Sequence, residues 1–295
     1  MSKKLSGVAA PITTPFVNGE VAYDQLRSNM QKYSQTALAG FFALGSNGES
    51  MFLTESEKLK VLELVLQEKS AHQIVMAGAG YESTRQTISF SNLVAEMGAD
   101  FVSILTPSYF KKRLTDEAMI GYYTEVADAV SVPVVAYNAP GFTGMTLTPQ
   151  VVEVISRHPN VIGMKDTSKG NMSSYLNAAG ENFDILSGTV STLFESMLLG
   201  ATGGVVSLAN AFPAPCCDLY EACKAVDLDR ARRLHYMLIN LNKAVSGSFG
   251  VAGVKYATEV AGYYGGDPRK PLLPITEEGK ESIRRAIEEA GVLKG

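Results

Sequence analysis

Lys165 stands inside VIGMKD (161–166), a stretch whose apolar residues suit a strand buried on both faces. An ammonium buried there without a partner is strongly disfavoured. Two readings are open. The lysine pairs with a carboxylate such as Asp166 or Glu49 and serves structure. Alternatively, the strand presents an amine to an apolar mouth, where lost solvation favours the neutral form. A neutral amine attacks a carbonyl and forms a Schiff base. GSNGE (45–49) also has two readings. Its glycines make a tight turn, or its backbone N–H groups and the Ser46 hydroxyl form a nest for a small anion such as a carboxylate. Glu49 would then support the loop. Tyr137 in YNAP (137–140) and Tyr109 in TPSY (106–109) are phenols at the ends of apolar runs. Most such tyrosines pack with a satisfied hydroxyl. Two phenols with a lysine and a hydroxyl are also what proton transfer to a carbinolamine needs.

The elements that must position these residues alternate along the chain. Short apolar, β-branched runs occur at 7–15, 40–46, 73–80, 101–107, 133–140, 161–166, 183–188 and 203–210. Near-continuous apolar runs of this kind suit parallel strands covered on both sides. Helical patterns fill the gaps. TESEKLKVLELVLQEK begins with Thr54 and has Glu57 three residues later, a capping box, and ESTRQTISFSNLVAEMG ends in Gly98, a C-terminal stop. Eight strands, each followed by a helix, predict an α/β fold of the (β/α)8 TIM-barrel type. A doubly wound sheet is the alternative, but GVAAPITTP lacks the G-x-G-x-x-G of its first turn. The strands stop near residue 225, so residues 1–225 are expected to form the barrel and 226–295 a helical extension packed on it. In this architecture active sites gather at the C-terminal ends of the strands. Those are the places of GSNGE, TPSY, YNAP, Lys165 with Asp166 and Thr167, Ser187 with Gly188, and Ser207 with Asn210.

The composition narrows the partners. In 295 residues the hydrophobic fraction is 46% and the formal net charge is −4, without a long run of either sign. A nucleic-acid binder would carry a basic face. The opening MSKKLSGVAAPITTPF has no apolar run of signal-peptide length, and no stretch approaches the ~20 apolar residues of a membrane helix. These features point to a cytoplasmic protein whose partners are small molecules or copies of itself. Cys216, Cys217 and Cys223 cluster in one helix-like segment with no histidine nearby. Buried thiols in a reducing compartment suit them better than zinc or a disulfide.

Taken together, GSNGE, the Y-N-x-P of YNAP and the G-M-K-D of VIGMKD resemble the pyruvate-dependent class I aldolases and synthases. That family includes dihydrodipicolinate synthase, N-acetylneuraminate lyase and 4-hydroxy-2-oxoglutarate aldolase. The likeness runs from APITTPF to GYYGGDPRKPL. The resemblance implies that Lys165 forms a Schiff base with the keto carbon of pyruvate and that Tyr137 passes protons. It implies that Ser46 and Asn47, with backbone N–H groups, hold the pyruvate carboxylate. Tyr109 matches a tyrosine donated across a subunit interface to complete the relay with Ser46, within a homotetramer built as a dimer of dimers. Thr167 and Gly188 match positions at the substrate-distal end, and Val206 an apolar residue against the pyruvate methyl. No metal or other cofactor is implied, because the iminium is the electron sink.

Within the family, the chain is most similar to the 4-hydroxy-2-oxoglutarate aldolase branch, through GSNGE, GAGYEST (78–84), GMKD, SLAN (207–210), FGVAGVK (249–255) and GYYGG (262–266) with Arg269. The expected reaction is cleavage of a 4-hydroxy-2-oxo acid, 4-hydroxy-2-oxoglutarate, to pyruvate and an aldehyde such as glyoxylate. The synthase resembles this chain in plan but carries an arginine for its second substrate's carboxylate where Phe142 stands, and a phenyl ring cannot replace a guanidinium there. Sialic-acid lyases have an acidic pair after the glycine that Gly188 matches, whereas Thr189-Val190-Ser191 follows here. Condensation of pyruvate with aspartate semialdehyde, and cleavage or dehydration of a 2-keto-3-deoxy sugar acid, are the alternative reactions. A keto-acid-binding regulator without turnover is the alternative outside catalysis.

Overall fold

The computed structural model describes residues 4–293. Met1, Ser2 and Lys3 of the basic opening and the last two residues lie outside the described residues. Eight strands close into a barrel: β1 (Gly7–Pro11), β2 (Gly40–Ala43), β3 (Ile74–Gly78), β4 (Phe101–Leu105), β5 (Val134–Asn138), β6 (Val161–Asp166), β7 (Asp184–Ser187) and β8 (Gly203–Val205). Each is parallel to its sequence neighbours, and β8 pairs with β1 to complete the ring. This is the (β/α)8 barrel expected from the alternating pattern. A small hairpin of Phe16–Val17 and Glu20–Val21 follows β1. Its strands are two residues each, too short to leave a periodic signal.

The strands mostly end before the apolar runs do. The run 203–210 leaves β8 after Val205, and Ser207–Asn210 becomes a 3₁₀ turn. The cause is Asn210. Its Nδ2 donates to the carbonyls of Pro11 (2.9 Å) and Ser207 (3.0 Å), and its Oδ1 accepts from the Thr13 N–H at 3.3 Å. That amide stitches the C-terminal ends of β8 and β1 together, so the chain turns where hydrophobicity alone would carry it straight on.

Side chains alternate between two packed layers, as the strand period requires. Leu5, Ala9, Phe42, Met76, Phe101, Val135, Tyr137, Leu186 and Val205 pack together in the barrel lumen. The opposite strand faces join the helices in a larger outer core that includes Val8, Phe41, Val75, Val102, Val134 and Met164. Thr54 caps the helix Glu55–Glu68 as its sequence predicts. Its Oγ1 accepts from the Glu57 N–H at 3.3 Å, and Glu57 Oε2 accepts from the Thr54 N–H at 2.8 Å.

Beyond the barrel lie the helix Leu228–Asn242, a π-helical turn Lys243–Gly247, and the helices Ser248–Val260 and Glu277–Ala290. Leu228–Asn242 packs on the barrel helices Val190–Leu199 and Pro213–Lys224. Cys216, Cys217 and Cys223 lie buried and unbridged on the latter helix. Burial pushes the Cys216 thiol far up and that of Cys217 up to about 12, which makes both poor nucleophiles. Among the described residues, no helix is long and apolar enough to cross a membrane, and no three His, Cys, Asp or Glu side chains gather as a metal site.

Candidate active site

Tyr137 on β5 and Lys165 on β6 are register partners. They belong to the inward-facing set, and both are buried, at 4% and 3% exposure. The Lys165 Nζ lies 4.2 Å from the ring centroid of Tyr137 and 4.7 Å from that of Phe42. The two rings meet edge to face at 5.7 Å and 84°. The amine therefore sits against aromatic faces, which stabilise a cation only weakly compared with a carboxylate.

Both candidate ionic partners of Lys165 are engaged elsewhere. The Asp166 carboxylate accepts from Asn138 Nδ2 at 2.7 Å, from the Ser168 N–H at 3.0 Å and from the Ser168 hydroxyl at 2.9 Å. Burial raises its pKa, and the bonds from Ser168 and Asn138 oppose that rise. Glu49 is paired with Lys255 at 2.6 Å. Among the described residues no hydrogen bond or ion pair reaches the Lys165 amine. The reading of Lys165 as a carboxylate-paired structural lysine thus loses both of the partners it named.

The GSNGE loop leaves β2 through two non-glycine residues in the left-handed region, Leu44 (φ 59°) and Glu49 (φ 53°). Such residues persist only where their surroundings hold them. Between them the chain turns on itself, with the Gly48 N–H donating to the Gly45 carbonyl (3.0 Å) and the Glu49 N–H to the Ser46 carbonyl (3.1 Å). The Thr14 hydroxyl donates to the Gly48 carbonyl at 2.7 Å. The N–H groups of Ser46 and Asn47 and the Ser46 hydroxyl are left without partners among the described residues. Consecutive free donors on a tight turn are the arrangement an anion nest requires. The side chain of Asn47 is turned away, its Nδ2 donating to the Ser207 hydroxyl at 2.8 Å. What Asn47 can offer an anion here is its backbone.

The other expected residues divide. The Thr167 hydroxyl donates to the Asn138 carbonyl at 3.0 Å. Gly188 lies beside it, and a Cβ there would come within 2.2 Å of the Thr167 methyl and 2.7 Å of the Asp166 carbonyl, so only glycine permits this approach. Val206 departs from its expected place. Its side chain belongs to the outer core, on the side of Gly204 and Leu193, and the residue of this pair in the lumen cluster is Val205. The chain changes direction at the end of β8, and alternation puts Val205 inward and Val206 outward. Tyr109 is not brought to Lys165 within one chain. Its ring is 79% exposed and stacks edge-on with Phe110, itself 68% exposed.

Several supporting residues were not anticipated. Glu82, the acid of GAGYEST, accepts from the N–H groups of Ser108 (3.0 Å) and Tyr109 (2.9 Å) and so holds the loop that carries the exposed tyrosine. Asn138 ties the ends of β5 and β6 through Asp166 and the Tyr175 hydroxyl. Lys255 approaches the GSNGE loop from the helix Ser248–Val260, and Arg269 from the irregular segment that follows it. Glu82, Asn138, Lys255 and Arg269 all lie in motifs already singled out, but their partners are distant in sequence.

Comparison with known proteins sets this geometry in context. The model of the dihydrodipicolinate synthetase family matches residues 4–290. The 4-hydroxy-tetrahydrodipicolinate synthase of Geobacter sulfurreducens is 33% identical over 285 residues, covering 96% of this chain and 98% of that protein. Among solved structures, the chloride-inhibited dihydrodipicolinate synthase of Acinetobacter baumannii complexed with pyruvate is similar at a TM-score of 0.92 and 27% identity, covering 98% of this chain and all (100%) of that one. A prophage protein of the dihydrodipicolinic acid synthase family from E. coli K12, in complex with pyruvate, is similar at a TM-score of 0.91 and 25% identity, covering 98% and 99%.

Proposed function

The chain belongs to the dihydrodipicolinate synthetase family and is a pyruvate-dependent class I aldolase, a carbon–carbon lyase working through a lysine Schiff base; on that premise we propose that Lys165 is the lysine and that the substrate is a 4-hydroxy-2-oxo acid. The observation that carries the assignment is a buried amine with no carboxylate partner, 4.2 Å from a tyrosine ring at the C-terminal end of a barrel strand. An amine with no carboxylate bound to it is free to meet a carbonyl carbon, which a lysine locked in an ion pair is not.

With 4-hydroxy-2-oxoglutarate the steps run as follows. The Lys165 Nζ adds to C2, and the carbinolamine loses water to give the iminium. The phenol of Tyr137, whose hydroxyl has no hydrogen-bond partner among the described residues, serves as the proton shuttle in that loss. Removal of the C4 hydroxyl proton breaks the C3–C4 bond. Its electron pair passes into the iminium to leave an enamine, and glyoxylate departs. Protonation at C3 and addition of water then release pyruvate and restore the amine. The Ser46 and Asn47 N–H groups and the Ser46 hydroxyl hold the C1 carboxylate throughout. Thr167 and Gly188 lie toward the distal half of the substrate. Tyr109 completes the relay of a neighbouring subunit in a homotetramer, a reading supported by the exposure of Tyr109, Phe110 and Met51 (70%) on loops that follow barrel strands. Three buried, unbridged thiols suit the reducing cytoplasm.

The choice of 4-hydroxy-2-oxoglutarate is supported by the branch motifs and by Phe142, 70% exposed just beyond YNAPG, where the synthase resemblance calls for a cation. A second reading, condensation of pyruvate with aspartate semialdehyde, is favoured by the name of the 33% identical relative. Borohydride reduction in the presence of pyruvate, read by peptide mass spectrometry, tests the mechanism, and glyoxylate release from 4-hydroxy-2-oxoglutarate tests the substrate. An adduct at Lys165 with rapid release supports both. An adduct without release, together with product from aspartate semialdehyde or turnover of a 2-keto-3-deoxy sugar acid, moves the chain to that reaction. The absence of any adduct at Lys165 overturns the assignment.

A further inference from the structure

The GSNGE loop is fastened from outside the barrel by a residue 206 positions later in the chain. The Glu49 carboxylate is buried. Its Oε1 accepts from the Lys255 Nζ at 2.6 Å and its Oε2 from the Arg269 N–H at 2.8 Å. Lys255 is wholly enclosed and also donates to the Asp267 carbonyl at 3.0 Å. Arg269 in turn forks onto Glu57 at 2.6 and 2.8 Å and donates to the Phe52 carbonyl at 2.7 Å, just past the loop. The Phe16 ring lies 4.3 Å from the Lys255 ammonium and 4.6 Å from the Arg269 guanidinium. The helix bearing Lys255 reaches this place after the π turn and a break at Gly250 (φ 54°, ψ −138°), a conformation open to glycine.

A buried ion pair of this kind adds little net stability over well-packed apolar side chains, and its best-attested use is to fix one arrangement among several. Here the arrangement fixed is a left-handed turn at Glu49, whose own N–H is bonded to the carbonyl of Ser46. We propose that Lys255 is a positioning residue for the reaction: through Glu49 it aims the free N–H groups of Ser46 and Asn47, and so sets the affinity for the keto-acid carboxylate without touching the substrate. The proposal rests on the reading of that loop as the carboxylate nest.

The test measures borohydride trapping at Lys165 over a range of pyruvate concentrations in four full-length proteins: wild type, Lys255→Met, Glu49→Gln and Ile287→Ala. Ile287 is buried on the last helix and has no hydrogen bond to the Glu49–Lys255–Arg269 network. Lys255→Met is expected to raise half-saturating pyruvate roughly tenfold or more, the scale on which small misplacements of a binding group act, while trapping at saturation still approaches completion. Glu49→Gln, whose amide oxygen still accepts from Arg269, is expected to raise it less. Ile287→Ala is expected to lower the melting temperature and leave half-saturation unmoved, a separation that general destabilisation would not produce. The proposal is overturned if half-saturation stays within about twofold of wild type in the loop-side variants, or if Ile287→Ala shifts it as far as Lys255→Met. Where Lys255→Met does not fold, Glu49→Gln decides by the same criterion. No adduct in wild type at any concentration would instead defeat the Schiff-base assignment, an outcome distinct from an adduct whose concentration dependence ignores Lys255.

Discussion

Two lysines are buried, Lys165 on a barrel strand and Lys255 on a helix beyond the barrel, and their surroundings are opposite. Lys255 meets a carboxylate, a carbonyl and an aromatic face, and each is within contact distance. Burial draws its pKa below that of an ordinary lysine, while Glu49 works against the shift. Lys165 lies against the rings of Phe42 and Tyr137, and no carboxylate is bonded to it among the described residues. The first environment ties the amine to a counter-charge and a carbonyl. The second leaves the amine without a hydrogen-bond or ionic partner among the described residues. Burial by itself therefore does not separate the two lysines; the counter-charge does, and the proposed nucleophile is the one that lacks it.

The sharpest way to break this contrast is to remove each amine in turn. Lys165→Ala is expected to abolish pyruvate trapping and lower turnover by at least ~10⁴-fold, with the far-ultraviolet circular dichroism spectrum unchanged. Trapping at another lysine in that variant would show that the wrong amine was chosen. Lys255→Met is expected to act on stability, at a cost of about 3–5 kcal/mol for stranding Glu49. Urea denaturation of the double variant Glu49→Gln/Lys255→Met should recover more than half of that loss, and failure to recover would mean that Lys255 matters through packing rather than charge.

Tyr137→Phe comes next in size. It is expected to lower turnover ~10²-fold, within the usual range for a proton-transfer group, with little change in half-saturating pyruvate. Equal losses in both would deny it the relay role. The smallest effect is expected at Glu57, on the rim of the paired network. The Arg269 guanidinium bonded to it holds its carboxyl down to about 2, from an ordinary 4.5. A carboxyl depressed in the folded state adds stability that is present above pH 4.5 and lost as the pH falls toward 2. Urea midpoints should therefore fall across that window in wild type, and more shallowly in Glu57→Gln, which starts lower at pH 7.

The same contrast explains what could be read in the chain. The barrel was legible because eight apolar runs recur with helical segments between them. Lys165, Tyr137 and Ser46 could be proposed together from the sequence because strand ends in such a barrel converge on one mouth. Lys165 and Lys255 look alike in sequence, each a cation closing an apolar stretch, VIGMKD or FGVAGVK. Only the distant carboxylates distinguish them, and a partner 206 positions away leaves no local pattern. Val206 illustrates a different limit. Alternation along a strand is easily phased in its middle, but β8 is three residues long and ends in a turn, so one step of error exchanges inside for outside. Tyr109 illustrates a third, since its ring is exposed in the single chain and the role proposed for it needs a neighbouring subunit.

The lumen below Lys165 is closed. Leu5, Met76, Phe101 and Val135, each no more than 2% exposed, fill it. Substrate and products therefore share a single doorway, and traffic through it has an order. With Lys165 as the proposed Schiff-base lysine, the fragment still bonded to it would lie on the inner side of the one that has been cut free. In the proposed cleavage the aldehyde would then leave first and pyruvate last, and in the reverse direction pyruvate would enter first.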